Sequence, residues 1–210
     1  MDRYIETFET WNKIAFLYKE KFMDLDLYNE TYDFICGSLY KTGSKVLEIG
    51  CGPGNITKYL LSRRPDLDIF GIDIAPNMID LAARSNPTAS FAVMDSRNIG
   101  QLQTKYDAIV CGFCLPYLSQ EDSGNLIRDC YDLLNENGLI YISFVEGDQS
   151  KSGYQVGSRG DRIYFYFHEL SELKAQLSAN RFEELRTFKT EYKKSEADIE
   201  IHTILTARKI

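Results

Sequence analysis

An α/β fold is predicted for this 210-residue chain: a Rossmann-like, mostly parallel seven-stranded sheet with helices on both faces, closed by an antiparallel hairpin. Three observations predict it. Short continuous apolar runs alternate with helical patterns from Lys45 onward, which is how strands buried on both faces read. A glycine-rich turn, "GCGPGN", joins the first run to a helix. The last two strand-like segments are linked only by "KKSEA", which makes them a hairpin.

The elements follow in order. Residues 3–22 and 25–39 are predicted as amphipathic helices; in the second, Tyr28, Tyr32, Ile35, Cys36 and Leu39 recur at helical spacing. "KVLEIG" is the first strand, and "ITKYLLSRR" a helix stopped by Pro65. "DIFGIDI" is a strand, followed by "PNMIDLAARS", where Pro76 suits a first helical turn. "ASFAVMD" and "YDAIVCGF" are strands three and four. A helix from about 121 to 134 is opened by Ser119, with Asp122 three residues on, and closed near Gly138. "LIYISFV" is strand five. The polar, glycine-rich stretch after it, ending in "RIYFYFH", reads as an irregular excursion or a hairpin turning at Gly157 to Asp161. A helix over 169–179 and strands over 182–192 and 198–208 complete the chain.

Composition narrows the function classes. With 44% hydrophobic and 26% charged residues the chain can build one well-buried core. A net charge of −7 and the lack of a basic stripe argue against nucleic acid. The charged N-terminal segment and the lack of an 18-residue apolar run point to a cytoplasmic protein that does not enter a membrane. Five cysteines without framework spacing read as reduced thiols, and Cys111 and Cys114 as small buried hydrophobes rather than a redox or zinc pair.

Chemistry concentrates at the strand ends. Gly50, Gly52 and Gly54 permit positive φ and close backbone approach, while the helix that follows presents free N–H groups. The register is G-x-G-x-G, with Asn55 where a dinucleotide fingerprint would have its third glycine. Glu48 would repel a pyrophosphate but attract an ammonium or sulfonium. A nicotinamide oxidoreductase is therefore the weaker reading. Asp73, ending the second strand, can accept both hydroxyls of a ribose, and Asp95, ending the third, can accept from an adenine amino group. Singly, each has a plainer alternative: a tight turn, a helix cap, a turn residue. Three acids at successive strand ends suit a cationic adenosine ligand.

As a set, these segments resemble the class I S-adenosylmethionine-dependent methyltransferases. "VLEIGCGPGN", "IDIAPNM", "MDSRNI" and "YDAIVCGFCLPYL" resemble the family's four successive motifs over roughly residues 45–145. The resemblance implies a sheet of order 3-2-1-4-5-7-6 and one methyltransferase domain over 1–210. Its parts are a helical cap (1–40), a cofactor-binding core (45–145), a substrate-side excursion (146–168) and a closing helix and hairpin (169–210). It implies S-adenosyl-L-methionine as cofactor, held by Tyr18, Glu48, Gly50, Cys51, Gly52, Gly54, Asn55, Asp73, Ile74, Met78, Asp95, Ser96, Cys111 and Phe113.

The acceptor is expected between the segments before strand one and after strand five, where Trp11, Phe22, Tyr117, Tyr166 and His168 are the candidates; the same aromatics could simply pack the core. Tyr18 and His168 are the candidate catalytic groups. The D/N-P-P-Y motif that grips planar amines is replaced by "CGFC", and the Asp-based metal site of catechol-type enzymes is missing, so no metal is implied. The expected reaction is methylation of a small-molecule acceptor at oxygen or nitrogen; a non-catalytic protein that binds the same cofactor would retain the same motifs. The glycine-flanked stretch 147–160 is expected to be a flap hinged on the aromatic wall beside it. Oligomeric state is not read from these features.

Overall fold

A computed structural model describes residues 3–157, 160–193 and 199–210. Helices α1 (Arg3–Phe22) and α2 (Asn29–Ser38) precede β1 (Lys45–Ile49), α3 (Asn55–Arg63), β2 (Asp68–Asp73), α4 (Pro76–Ser85) and β3 (Ser90–Val93). Then come β4 (Tyr106–Gly112), α5 (Gln120–Leu133), β5 (Leu134–Val145), β6 (Gly153–Val156), β7 (Arg162–Phe165), α6 (Leu170–Ala179), β8 (Phe182–Lys193) and β9 (Ile199–Lys209). The large sheet has seven strands in the order β3-β2-β1-β4-β5-β9-β8. β1 to β5 are parallel, and β9 and β8 run antiparallel beside them.

Alternation along the strands divides the core in two. Leu47, Ile49, Ile109, Cys111, Ile140, Ile142 and Phe144 meet Leu126, Ile127 and Leu133 of α5 and Leu173 and Leu177 of α6. Val46, Ala108, Val110, Leu139 and Tyr141 meet Tyr32 and Ile35 of α2 and Ile56 and Leu60 of α3. Both faces are buried, so neighbouring residues in these strands are apolar alike and the runs look continuous. Polar groups are left for the strand ends.

The expected excursion is a second, two-stranded antiparallel sheet, β6 paired with β7. Ser158 and Arg159 of its turn, and residues 194–198 of the final link, lie outside the described residues. β7 is fastened to α1: Tyr164 N–H donates to Thr7 Oγ1 (2.9 Å), Thr10 Oγ1 donates to the Arg162 carbonyl (2.8 Å), and Arg162 pairs with Glu6. The aromatic wall, through β7, is therefore tied to the N-terminal helix, and the segment expected as a flap meets that wall through β6.

Two boundaries differ from expectation. α2 begins at Asn29 rather than at 25, because Leu25 N–H and Asn29 N–H close turns on the Phe22 and Asp26 carbonyls instead. In β5 the register jumps from Leu134 opposite Tyr106 to Leu139 opposite Ala108. The intervening residues bulge, with Asn137 at φ 63°.

Phe144 is fully buried between the sheet and α5/α6. Phe144→Ala should cost about 3–5 kcal/mol of unfolding free energy, measured by urea denaturation; a loss under about 1 kcal/mol would mean the site is not closely packed.

Candidate active site

A cavity of about 140 Å³ opens at the carboxyl edge of the sheet, between the β1 and β2 loops below and α1 above. Open α/β sheets hold ligands at this edge, where helix N-termini and loop amides converge. Eleven of the expected residues line it: Trp11, Tyr18, Gly50, Gly52, Asp73, Ile74, Met78, Asp95, Ser96, Phe113 and Tyr117.

Asp73 organises the floor. Its Oδ2 accepts the Gly52 N–H (3.0 Å) and its Oδ1 the Ala75 N–H (2.8 Å), so one carboxylate clamps the glycine loop to the start of α4. The plainer role of a cap and the role of a ligand group can coexist here, because a carboxylate offers about four acceptor sites, more than the loop amides take up. Burial pushes the Asp73 carboxyl up, against those amide contacts.

The glycines divide by role. Gly52 has φ +52°, and a Cβ there would point toward the Tyr18 ring at 3.7 Å, across the space a ligand would use. Gly54 serves packing instead: a Cβ would lie 2.4 Å from Asn86 Nδ2 and 3.2 Å from Ala82, so its bareness lets α3 start against α4. Gly54, Asn55 and Cys51 are not in the cavity wall.

Glu48 also sits apart from the wall, 1% exposed beneath the glycine loop. Its Oε2 accepts the Thr57 hydroxyl, and its Oε1 has no partner among the described residues. Burial pushes this carboxyl up to about 8, only partly offset by Thr57. Burial thus favours the neutral acid over the fixed anion that the sequence implied.

Asp95 is less available than expected. Arg97 holds it through both oxygens (3.0 Å to each from Nε, 2.5 Å from Nη2) and also donates its backbone N–H (2.9 Å). Burial raises the Asp95 carboxyl, but Arg97 outweighs it and the net direction is down.

Four further expectations are corrected. Cys111 is fully buried in the α5-side core; strand parity turns it inward, and Cys114, three residues later, lines the cavity. Phe22 stacks on Tyr18 at 4.5 Å but outside the wall. Tyr166 is absent from the wall: its N–H donates to the Pro116 carbonyl (2.7 Å) and its ring packs on Tyr164. His168 is 2% exposed, with Nε2 2.8 Å from the Leu115 carbonyl, and burial lowers its pKa, so the ring is spent on structure. Tyr18 does face the cavity, but burial pushes its hydroxyl up to about 12, which leaves it a donor at neutral pH.

Sequence reasoning missed Tyr4, Thr7, Phe8, Arg97, Cys114 and Leu118 in the wall. The signal for the first ones was present: Tyr4, Phe8, Trp11, Ala15 and Tyr18 form a stripe at three- and four-residue spacing on α1. Trp11 meets the Tyr18 and Tyr117 rings edge-on, each at 5.4 Å. The cavity thus has an acid-and-glycine floor and an aromatic roof. Among the described residues no helix is long and apolar enough to cross a membrane.

Residues 46–138 match the family model of a methyltransferase domain. The chain is 32% identical to a putative methyltransferase of Invertebrate iridescent virus 6 over 138 residues, 66% of this chain and 49% of that protein. A malonyl-[acyl-carrier protein] O-methyltransferase of Acetivibrio thermocellus is 34% identical over 105 residues, 49% of this chain and 36% of the relative. The chain spans half or less of the length of these curated relatives. Magnesium protoporphyrin IX methyltransferase from Synechocystis PCC 6803, solved with bound SAH, shares the fold with a TM-score of 0.74 over 100% of both chains at 19% identity.

The buried Glu48 generates a stability prediction. Between the ordinary carboxylate range and about pH 8 the unfolded chain has released this proton and the folded protein still holds it. Stability therefore falls as pH rises through that window and levels off above it. Glu48→Gln should melt progressively higher than the wild type as pH is raised from about 5 to about 8. A gap in melting temperature that does not change with pH would mean Glu48 is ionised in the fold.

Proposed function

Since the chain belongs to the class I S-adenosylmethionine-dependent methyltransferase family, we propose that it binds S-adenosyl-L-methionine in this cavity and methylates a small-molecule acceptor at oxygen or nitrogen. The observation that carries the reading is the Asp73 clamp, with Gly52 bare beside it. The clamp aims a partly desolvated carboxylate and an open backbone at one point, which suits a ribose diol next to a chain that must pass close to the loop.

The residues divide the work accordingly. Asp73 would hold the ribose; Ile74 and Met78, which line the wall on the α4 side, would pack on the adenine, and Asp95 and Ser96 would meet its edge. Tyr18, Trp11 and Tyr117 would close over the reacting centre and keep water from it. When bound, the cofactor supplies a methyl group on a sulfonium. The chain's own contribution is alignment and desolvation, since the positive charge disperses as the displacement proceeds. The relatives' printed names span acceptors as unlike as malonyl-[acyl-carrier protein] and magnesium protoporphyrin IX, so the acceptor of this chain has to be argued from its own walls.

Calorimetry should detect binding of S-adenosylmethionine and of SAH, and no comparable heat with NAD; the reverse result would overturn the reading. Asp73→Ala should weaken cofactor binding by about 1–3 kcal/mol. Gly52→Val should abolish binding while the protein remains folded. Gly54→Ala should instead lower the melting temperature, because the new methyl collides with Asn86 and Ala82. Undiminished affinity in the Asp73 and Gly52 variants would place the cofactor elsewhere.

A further inference from the structure

Behind one wall of the cavity lies a buried polar chain that cofactor binding does not use. Tyr28 Oη and His202 Nδ1 are 2.6 Å apart, and His202 Nε2 is 3.4 Å from Glu200 Oε2. Tyr28 and His202 are each 7% exposed. A carboxylate only accepts, so Nε2 carries the imidazole hydrogen; Nδ1 then presents its lone pair to the Tyr28 O–H. The three groups are thus ordered hydroxyl, imidazole, carboxylate, which is the arrangement that moves a proton one way.

Their position is as informative as their order. His202 pairs opposite Val145 at the end of β5, which puts it at the ligand-bearing edge of the sheet. Phe113, a cavity wall residue, lies 5.2 Å from the Tyr28 ring and 4.8 Å from His202, so one ring separates the chain from the cavity. Phe113 has φ 53°, an uncommon backbone for a bulky residue and one that occurs at ligand sites.

We propose that Tyr28, His202 and Glu200 form the proton-accepting end of the site, and that the acceptor is a hydroxyl or amine compound that sheds a proton on methylation. The inference rests on the methyl-transfer reading above. The acceptor heteroatom forms its bond to the methyl carbon as the carbon–sulfur bond breaks with its electron pair kept on sulfur. The heteroatom's proton passes to Tyr28 Oη while the Tyr28 proton passes to His202 Nδ1, and Glu200 holds the resulting imidazolium. Tyr28 is the group that meets the acceptor, once the Phe113 ring turns aside about its side-chain bonds; His202 and Glu200 act through it. Burial pushes the Tyr28 hydroxyl up, so Tyr28 relays a proton and does not rest as a phenolate.

A carboxylate acceptor would need neither a base nor this end of the site, but would need a free cation. The lining guanidinium, that of Arg97, directs its Nε and Nη2 donors to Asp95. The groups facing His202 are Tyr28 just before α2, Tyr192 from β8 stacked at 4.8 Å, Phe113 after β4 and Glu200 on its own strand. Glu146, at the end of β5, is taken up by Lys189 (2.8 Å) and the Thr203 hydroxyl (2.9 Å).

Two measurements test the proposal. The chain has only two histidines, so ¹⁵N spectra of the imidazoles, assigned with His168→Asn, read the His202 tautomer directly. The Nε2–H form is expected, and the Nδ1–H form would overturn the proposal. The second follows transfer of a labelled methyl group to 4-nitrophenol, catechol and benzylamine, with benzoate as the acceptor that has no proton to lose at neutral pH. Transfer to at least one of the first three is expected. His202→Gln and Tyr28→Phe, the latter keeping the ring packing, should lower it about 100-fold at neutral pH, with part of the rate recovered as pH rises. SAH affinity and melting temperature are followed alongside. Transfer to benzoate alone, no transfer to any of the other probes by a protein that binds SAH, or variant pH profiles that overlay the wild type would each overturn it. Failure of the wild type to bind SAH would instead refute the methyl-transfer reading.

Discussion

The Asp73 carboxylate is the contact on which the site depends. It takes one amide from the loop after β1 and one from the start of α4, and so fixes two loops that no strand pairing reaches. The ladder runs up to this point and stops: Cys51 N–H still bonds the Ile72 carbonyl, and Met94 N–H the Asp73 carbonyl. Beyond those bonds the loops are ordered by short turn bonds, such as Gly54 N–H on the Cys51 carbonyl, and by side chains. The clamp has to stand at a strand end because the strand interiors are apolar on both faces, where an anion would find no partners. A buried sheet therefore forces its polar chemistry to the edge, and the first acid at the edge becomes the organiser of the cavity.

That constraint also explains what was legible in the sequence. β1 to β5 and their order could be read because apolar runs of strand length separated by helices leave few alternatives. Asp73 and the glycine loop could be read because their roles depend on neighbours close in the chain. The proposed acceptor end was harder. His168 stands between β7 and α6 and His202 near the start of β9, and their sequence surroundings do not distinguish them. What does is pairing: the β5–β9 register sets His202 at the ligand edge, whereas His168 turns under the loop onto the Leu115 carbonyl. Cys111 failed for a related reason, since one residue of strand parity decides between core and cavity. Asp95 was identified, but its pairing with Arg97, two residues on, depends on a 3₁₀ turn that the composition of "DSRNIG" does not announce.

The two ends of the cavity are built on different energetics. The floor belongs to the cooperative core: Leu47, Ile49 and Ile72 beside it are fully buried. The roof does not. Of the 20 residues in α1 only Thr7, Thr10 and Ala15 are buried, and Phe16 is 61% exposed. The helix is held on one side by Asn12, whose Oδ1 accepts the Asn77 N–H (2.9 Å) and whose carbonyl accepts from Asn77 Nδ2 (2.8 Å), and by Lys19 on Ser85 (3.0 Å). On the other side it is held by β7 and by ion pairs such as Lys13 with Asp161. Exposed polar ties of this kind contribute roughly 0–1 kcal/mol each.

A roof of that construction is the part of the fold whose displacement disturbs the sheet least: lifting α1 opens the small cluster of Ala15, Ala75 and Met78 with Phe8, Trp11 and Tyr18, while the buried members of the two sheet clusters stay together. The floor can then remain ordered while the cavity opens, which keeps the Asp73 clamp set before any ligand arrives. The aromatic stripe gains its value only on closure. Rings at positions 4, 8, 11 and 18 shed water when they meet the floor, and few other groups on α1 would exclude water as well while tolerating ligands of different outline. A polar floor tied into the core and a weakly held aromatic roof are therefore complementary: in the proposed reading the first would set where the cofactor lies, and the second would set when the reacting centre is dry.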